Sequence, residues 1–285
     1  MEIFVQQIIN GIFLGAGYVL IALGLTLIFG ILLIPNFAHG QAYMLGAYVT
    51  FSAMTFCHFN FFFAMGASII VIGVLGVLME RFAFRPLQHA FHLTMFIAAL
   101  GVAIVLEETA HLIWGPESKI ILSPVQGQLT IFSISISYFR VIILATVVIV
   151  IFALTIFIKK TKLGRAMRAI AQNRDVASLM GVNIPRISAV TFAVGSAMAG
   201  IAGSLLGVIF PIYPSMGLFP TLKAFVVIVL GGIGSIPGAI VGGLFLGIAE
   251  SLGAGYISSY YKETIAFIIL ILALLIKPTG LFGKA

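Results

Sequence analysis

Residues 222–250 read LKAFVVIVLGGIGSIPGAIVGGLFLGIAE. Two apolar arms, 222–233 and 237–252, flank Gly231, Gly232, Gly234, Ser235, Pro237 and Gly238. Each arm falls short of the roughly 20 apolar residues that a full membrane crossing needs. The stretch therefore reads as a glycine-broken hairpin. Non-helical backbone at membrane depth is tolerated only where protein or a water-filled cavity covers it. Lys223 lies twelve residues before Ser235 and Glu250 fifteen after it. A hairpin folded about Ser235 puts the two at similar height. Either they pair as a membrane ion pair, or each reaches the outer headgroups. An ionisable group inside a span costs roughly 2.5–3.5 kcal/mol on insertion scales, so the two are functional candidates.

The rest of the chain is of the same kind. It has 285 residues, 61% hydrophobic and 8% charged, whereas soluble domains carry about a quarter charged residues. Apolar segments run over 3–34, 40–57, 61–80, 93–114, 138–158, 188–210, 222–233, 237–252 and 263–277. The alternation of a membrane barrel is absent. The expected fold is an all-α polytopic membrane bundle of eight to nine segments with broken or re-entrant helices, one integral membrane domain over 1–285. The first 30 residues lack a basic start and a small-residue cleavage site, so they read as a retained span. The single cysteine, Cys57, reads as a packing residue.

The net charge of +7 has a local origin. Lys159, Lys160, Lys162, Arg165, Arg168, Arg174 and Arg186 supply seven of the fifteen basic residues. This cluster sits between spans and has no aromatic stacking platform, which excludes nucleic acid as a partner. The positive-inside rule makes the 159–187 loop cytoplasmic, and likewise the 81–92 connection with Arg81, Arg85, His89 and His92. Connections 115–137 and 211–220 then face outward, and the C-terminus, with Lys277 and Lys284, lies inside. The N-terminus lies outside if 3–34 crosses once and inside if that segment is broken.

Small residues recur every four positions: Gly195, Ala199, Gly203, Gly207; Ser196, Gly200, Ser204; Gly234, Gly238, Gly242; Gly11, Gly15. In lipid such stripes let helix backbones approach closely. A different interruption follows Pro35, in NFAHGQAYMLGAY (36–48). Asn36, His39 and Gln41 either line a polar path through the bundle or stabilise a helix break by hydrogen bonds. A third polar set, Glu107, Glu108 and His111, reads as an outer-rim cluster or as a gate or partner contact. Two carboxylates and one His on a single helix make a poor metal site, and none is expected.

The stretch TKLGRAMRAIAQNRDVASLMGVNIPR (161–186) folds into one or two short surface helices. Ala166, Met167, Ile170 and Ala171 form an apolar stripe, with Arg165 and Arg168 on other faces. Asn173 or Asp175 caps a second helix over 176–180, Gly181 suits its left-handed C-terminal position, and Pro185 opens the next span. The stripe lacks Trp and Phe, which favours insertion into a protein groove over lying on lipid headgroups.

NFAHG with YMLGAY, ERFAFRPL (80–87), GRAMRAIAQNRDVASLMGVN (164–183), the opening stretch and IKPTGLFG (276–283) closely resemble the LivH-type permease subunits of ATP-binding-cassette importers for branched-chain amino acids. The resemblance spans essentially the whole chain. It implies a bacterial-type cytoplasmic (inner) membrane location, multi-pass, and a second related permease subunit, as a heterodimer. It also implies two cytoplasmic ATPase subunits and an extracytoplasmic amino-acid binding protein. It places coupling to the ATPases on 164–183, with Gly164, Arg165, Arg168, Ala169, Asn173, Arg174, Asp175, Ser178 and Gly181. Family members commonly carry Glu after NFAHG; here the position is Gln41, which removes a charge. The chain has no GxxxxGK[ST] loop, so ATP is hydrolysed by partner subunits and no cofactor is expected on this chain. No catalytic set is evident. The implied function is ATP-driven alternating access for branched-chain amino acids. The alternatives are a sibling permease for urea, short amides or other amino acids, an ion-coupled secondary transporter, and a membrane enzyme.

Overall fold

The computed structural model describes residues 2–88, 90–131 and 134–283. His89 and Lys284, two of the basic residues used to orient the chain, lie outside them, as does the side chain of His92. Helix α1 runs Glu2–Leu32 without interruption, about 46 Å at 1.5 Å per residue. That exceeds the hydrocarbon core of roughly 30 Å. Helices α2 (His39–Phe56), α3 (Phe61–Met79), α4 (His92–Trp114) and α5 (Tyr138–Lys160) follow. Helix α3 widens into a π-helical turn, Glu80–Phe84, and then tightens into a 3-10 turn, Arg85–Leu87. Two short helices, α6 (Lys162–Gln172) and α7 (Arg174–Leu179), precede α8 (Ile184–Leu206), α9 (Leu218–Gly231), α10 (Ile236–Tyr256) and α11 (Lys262–Ile276).

Polar residues set many of the helix starts. Asn60, Thr161, Asn173, Asn183 and Ser235 each accept a hydrogen bond from a backbone N–H of the following first turn. That satisfies one of the donors a helix start leaves orphaned. Pro185 and Pro237 sit in the first turns of α8 and α10, where a missing N–H costs nothing.

Among the described residues, eight helices are long and apolar enough to cross a membrane. The arms of the opening stretch are longer than their sequence limits implied. A 3-10 turn, Pro214–Gly217, extends α9 to an 18-residue span, and α10 runs to Tyr256, 21 residues in all. They cross as a pair of full helices joined by the 232–235 turn. Helix α2 is the ninth segment; it is less apolar and mostly buried. A two-stranded antiparallel ribbon, Gln128–Ile131 with Ile134–Ser137, sits in the connection before α5. Lys119 and Ile212 exchange backbone hydrogen bonds of 2.8 Å, so the 115–137 and 207–217 connections share one end of the bundle.

Backbone contact at small residues holds the centre. A Cβ on Gly15 of α1 would fall 2.8 Å from the carbonyl oxygen of Gly243 and from Cα of Leu244 on α10. On Gly46 of α2 it would fall 2.6 Å from Cα of Gly200 on α8. Gly231 and Gly238 touch across the α9–α10 turn. The stripes thus put main chain against main chain, the packing available where lipid supplies no hydrophobic drive.

Candidate functional site

The break before α2 is buried and built from its own polar groups. Asn36, His39 and Gln41 have 0–4% of their surface exposed. The Asn36 side-chain oxygen accepts from the Ala38 N–H at 3.1 Å, turning the chain into α2. His39 Nε2 lies 3.1 Å from the Ile21 carbonyl of α1. A carbonyl only accepts, so this nitrogen carries the proton. His39 fits because its neighbour is glycine: a Cβ on Gly24 would stand 2.8 Å from the His39 ring and 2.5 Å from the carbonyl oxygen of Gly195 on α8. Gly24 is where α1, α8 and the start of α2 meet. Gln41 Nε2 donates to Glu107 Oε2 of α4 at 3.0 Å. Glu107 is thereby drawn to the break, while Glu108 is exposed and His111 half-buried farther along α4.

Lys223 and Glu250 meet. Lys223 Nζ donates to Glu250 Oε2 at 3.0 Å, and Glu250 is fully buried. Tyr18 of α1 completes the group: its hydroxyl donates to the same carboxylate oxygen at 2.5 Å and accepts from Lys223 at 3.1 Å. Glu263 at the start of α11 stands 3.7 Å from Lys223 Nζ. The pair therefore ties α9 to α10 and both to α1.

At the other end lies the α6–α7 elbow. Gly164 starts it, because a Cβ there would fall 2.5 Å from Cα of Ile158 on α5. Asn173 caps α7, which begins at Arg174 rather than 176, and Gly181 closes it at φ +82°. The apolar stripe is used differently from the sequence reading. Met167 and Ile170 are buried with Ala177, Ile184 and Ile187 of this same chain, and Ile31 of α1 packs on the cluster. The stripe fastens α6 to its own bundle and is not offered to a partner groove. The outward face instead carries Arg165, Arg168, Asn173, Asp175, Ser178 and the apolar tips Leu179 and Met180, 87% and 80% exposed; Ala169 is half-buried. Arg174 reaches Gln88 at 2.6 Å, joining the elbow to the connection after α3.

The family model described as "Branched-chain amino acid transport system / permease component" matches residues 7–274. The chain belongs to this family. The high-affinity branched-chain amino acid transport system permease protein LivH of Salmonella typhimurium is 41% identical over 99% of this chain and 96% of its own length. BraD of Pseudomonas aeruginosa, described in the same terms, gives the same figures. The probable branched-chain amino acid transport permease protein LivH of Methanocaldococcus jannaschii is 30% identical over 93% of this chain and 88% of its own. The chain is a multi-pass membrane permease.

Several residues of this permease escaped the sequence reading. Tyr18 gave no signal, since a Tyr in an apolar helix reads as packing. Glu80 is fully buried and holds Arg85 by two bonds, 3.2 and 2.7 Å; Arg85 also donates to the Pro185 carbonyl of α8. A spacing of five falls outside the three- and four-residue pairs of an α-helix. The π-helical turn brings the two together. Leu179 and Met180 stand in the sequence only as the end of the second short helix, with nothing to mark them as a surface.

Proposed function

We propose that this chain is one of two related permease subunits of an ATP-driven importer that passes branched-chain, hydrophobic amino acids across the cytoplasmic membrane. Two cytoplasmic ATPase subunits hydrolyse ATP, and one of them docks on the α6–α7 elbow of this chain. An extracytoplasmic binding protein delivers substrate to the opposite end. The N-terminus lies outside, since α1 is one unbroken span, and the C-terminus inside. The C-terminal residues Leu281 and Phe282 hydrogen-bond to the end of α9, whose following turn packs on the inner end of α1.

The observation that carries this reading is the elbow. It is a capped pair of helices, anchored by buried Met167 and Ile170, that presents arginines and two exposed apolar side chains away from the bundle. An anchored base transmits force, and an exposed apolar tip within a basic rim fits a protein partner. The test is co-purification with the ATPase subunits and uptake of radiolabelled leucine by the assembled transporter. Competition by urea, short amides and other amino acids fixes the substrate class. Arg168→Glu is expected to weaken ATPase association and uptake together. Unchanged assembly and uptake in that variant would remove Arg168 from the coupling surface.

A further inference from the structure

A cavity of ≈ 370 Å³ opens between α1, α2, the connection after α8, α9 and the start of α11. It is near the lower end of the roughly 300–1,000 Å³ of small-ligand sites. Leu14, Ile21 and Leu206 give it an apolar wall, and the phenols of Tyr43 and Tyr213 edge it. Lys223, Lys262 and Glu263 also line it, so both signs of charge face one small space. Glu250, fully buried, holds Lys223 from the α10 side and neutralises part of its charge. Glu263 is partly open, with 43% of its side chain exposed.

These features select a ligand chemistry. Lys223 Nζ and Glu263 Oε1 stand 3.7 Å apart with no hydrogen bond between them, so a simple anion or cation meets one of the two and loosens its hold on the other, and an acyl chain answers neither. A small zwitterion with an apolar side chain satisfies all three elements. Its carboxylate faces Lys223 and Lys262, its ammonium faces Glu263, and its side chain lies against Leu14, Ile21 and Leu206. We propose that this cavity is a transit site for a hydrophobic amino acid within this one chain, on the binding-protein side of the polar break. The inference rests on the transport reading above and deepens it. The site is partial by construction, because Lys223 remains tied to Glu250 and Tyr18. Weak binding suits a station that must release its occupant.

The test uses the assembled transporter in lipid nanodiscs, without binding protein or nucleotide. In a Cys57→Ser background, Phe219→Cys places a thiol on the cavity wall; Phe210→Cys serves if that variant does not assemble. Leucine at ten times its dissociation constant is expected to slow maleimide labelling by about tenfold, since the rate follows the unliganded fraction. Glu263→Gln is expected to abolish that protection. A thiol introduced at Phe245, outside the cavity, should be unaffected. Labelling indifferent to leucine, in an assembly whose leucine uptake is intact, overturns the site and leaves the transport reading standing. Absence of uptake of any hydrophobic amino acid overturns both. Protection that survives Glu263→Gln overturns the assigned contacts. Protection by added phosphatidylethanolamine and not by leucine makes the cavity a lipid headgroup site and overturns the proposal.

Discussion

Replacing Lys223 by Met separates the energetics of the buried pair from any role in transport. Glu250 has no exposed surface. Its Oε2 accepts from Lys223 and Tyr18, and its Oε1 has no hydrogen-bond partner among the described residues. Lys223→Met leaves this carboxylate buried with the phenol as its one donor. Breaking a buried pair by removing one partner costs about 3–5 kcal/mol. At 1.4 kcal/mol per decade, that lowers the folded-to-unfolded ratio by roughly two to four orders of magnitude. Glu250→Gln is expected to cost less, about 1–3 kcal/mol, because Lys223 keeps Tyr18 and the nearby Glu263. In Lys223→Met with Glu250→Gln no charge is stranded, so the double loss should fall short of the summed single losses by more than about 1 kcal/mol. Reversible unfolding of the purified permease in mixed micelles gives the cycle. Glu263→Gln is the control; at 3.7 Å and partly exposed it should contribute at most about 1 kcal/mol. Single effects that add to within about 0.5 kcal/mol would show that Lys223 and Glu250 are neighbours without being an energetic unit.

Gly15→Ala should destabilise the bundle by about 1–3 kcal/mol, because the new methyl meets α10 backbone at 2.8 Å and no rotamer relieves it; Gly66→Ala, with nothing within 4 Å, should be neutral in the same thermal melt. Leu179→Asp, at an 87% exposed position, should leave the melt unchanged yet weaken ATPase association by about 30-fold if Leu179 anchors that interface, read by co-purification or surface binding. Gln41→Glu sets a carboxylate against Glu107 where a 3.0 Å hydrogen bond stood, and leucine uptake should fall; Gln41→Glu with Glu107→Gln re-forms the bond with donor and acceptor exchanged and should restore it.

What the sequence disclosed follows from how local each signal is. The start of α7 at Asn173 and its end at Gly181 are set within a few residues by a side-chain cap and by a left-handed φ. Both were readable in the chain, though the helix starts earlier than its apolar residues implied. The height of Lys223 and Glu250 followed from folding the chain about Ser235, and the two side chains meet. Tyr18 was out of reach, being 205 residues from Lys223 and indistinguishable from a packing aromatic. The direction of the Met167/Ile170 stripe was misread for a similar reason. Amphipathy says that a face is buried but not by whom, and here Ile31, Ile184 and Ile187 of the same chain bury it. The Gln41–Glu107 bond was hidden too, because the sequence offered two separate polar sets on two helices and no measure of their proximity.

One helix links these places. Ile31 of α1 packs on the cluster that anchors α6, Gly30 touches Gly234 in the α9–α10 turn, Gly24 meets His39 and Gly195, Tyr18 holds the Lys223–Glu250 pair, and Gly15 lies on α10. Three of these contacts are close approaches at glycine, where no flexible side chain of α1 stands between the two elements. A side-chain contact absorbs a displacement by changing rotamer, whereas close-packed backbone passes it on. The elbow meets α1 through a side chain, Ile31, so the stiff contacts of α1 are those it makes at Gly15, Gly24 and Gly30 with α10, α8 and the α9–α10 turn. A bundle this rich in glycine is therefore not a loose one: its glycines are close contacts between helix backbones, and the chain leaves the helix at turns such as 33–38 and 232–235.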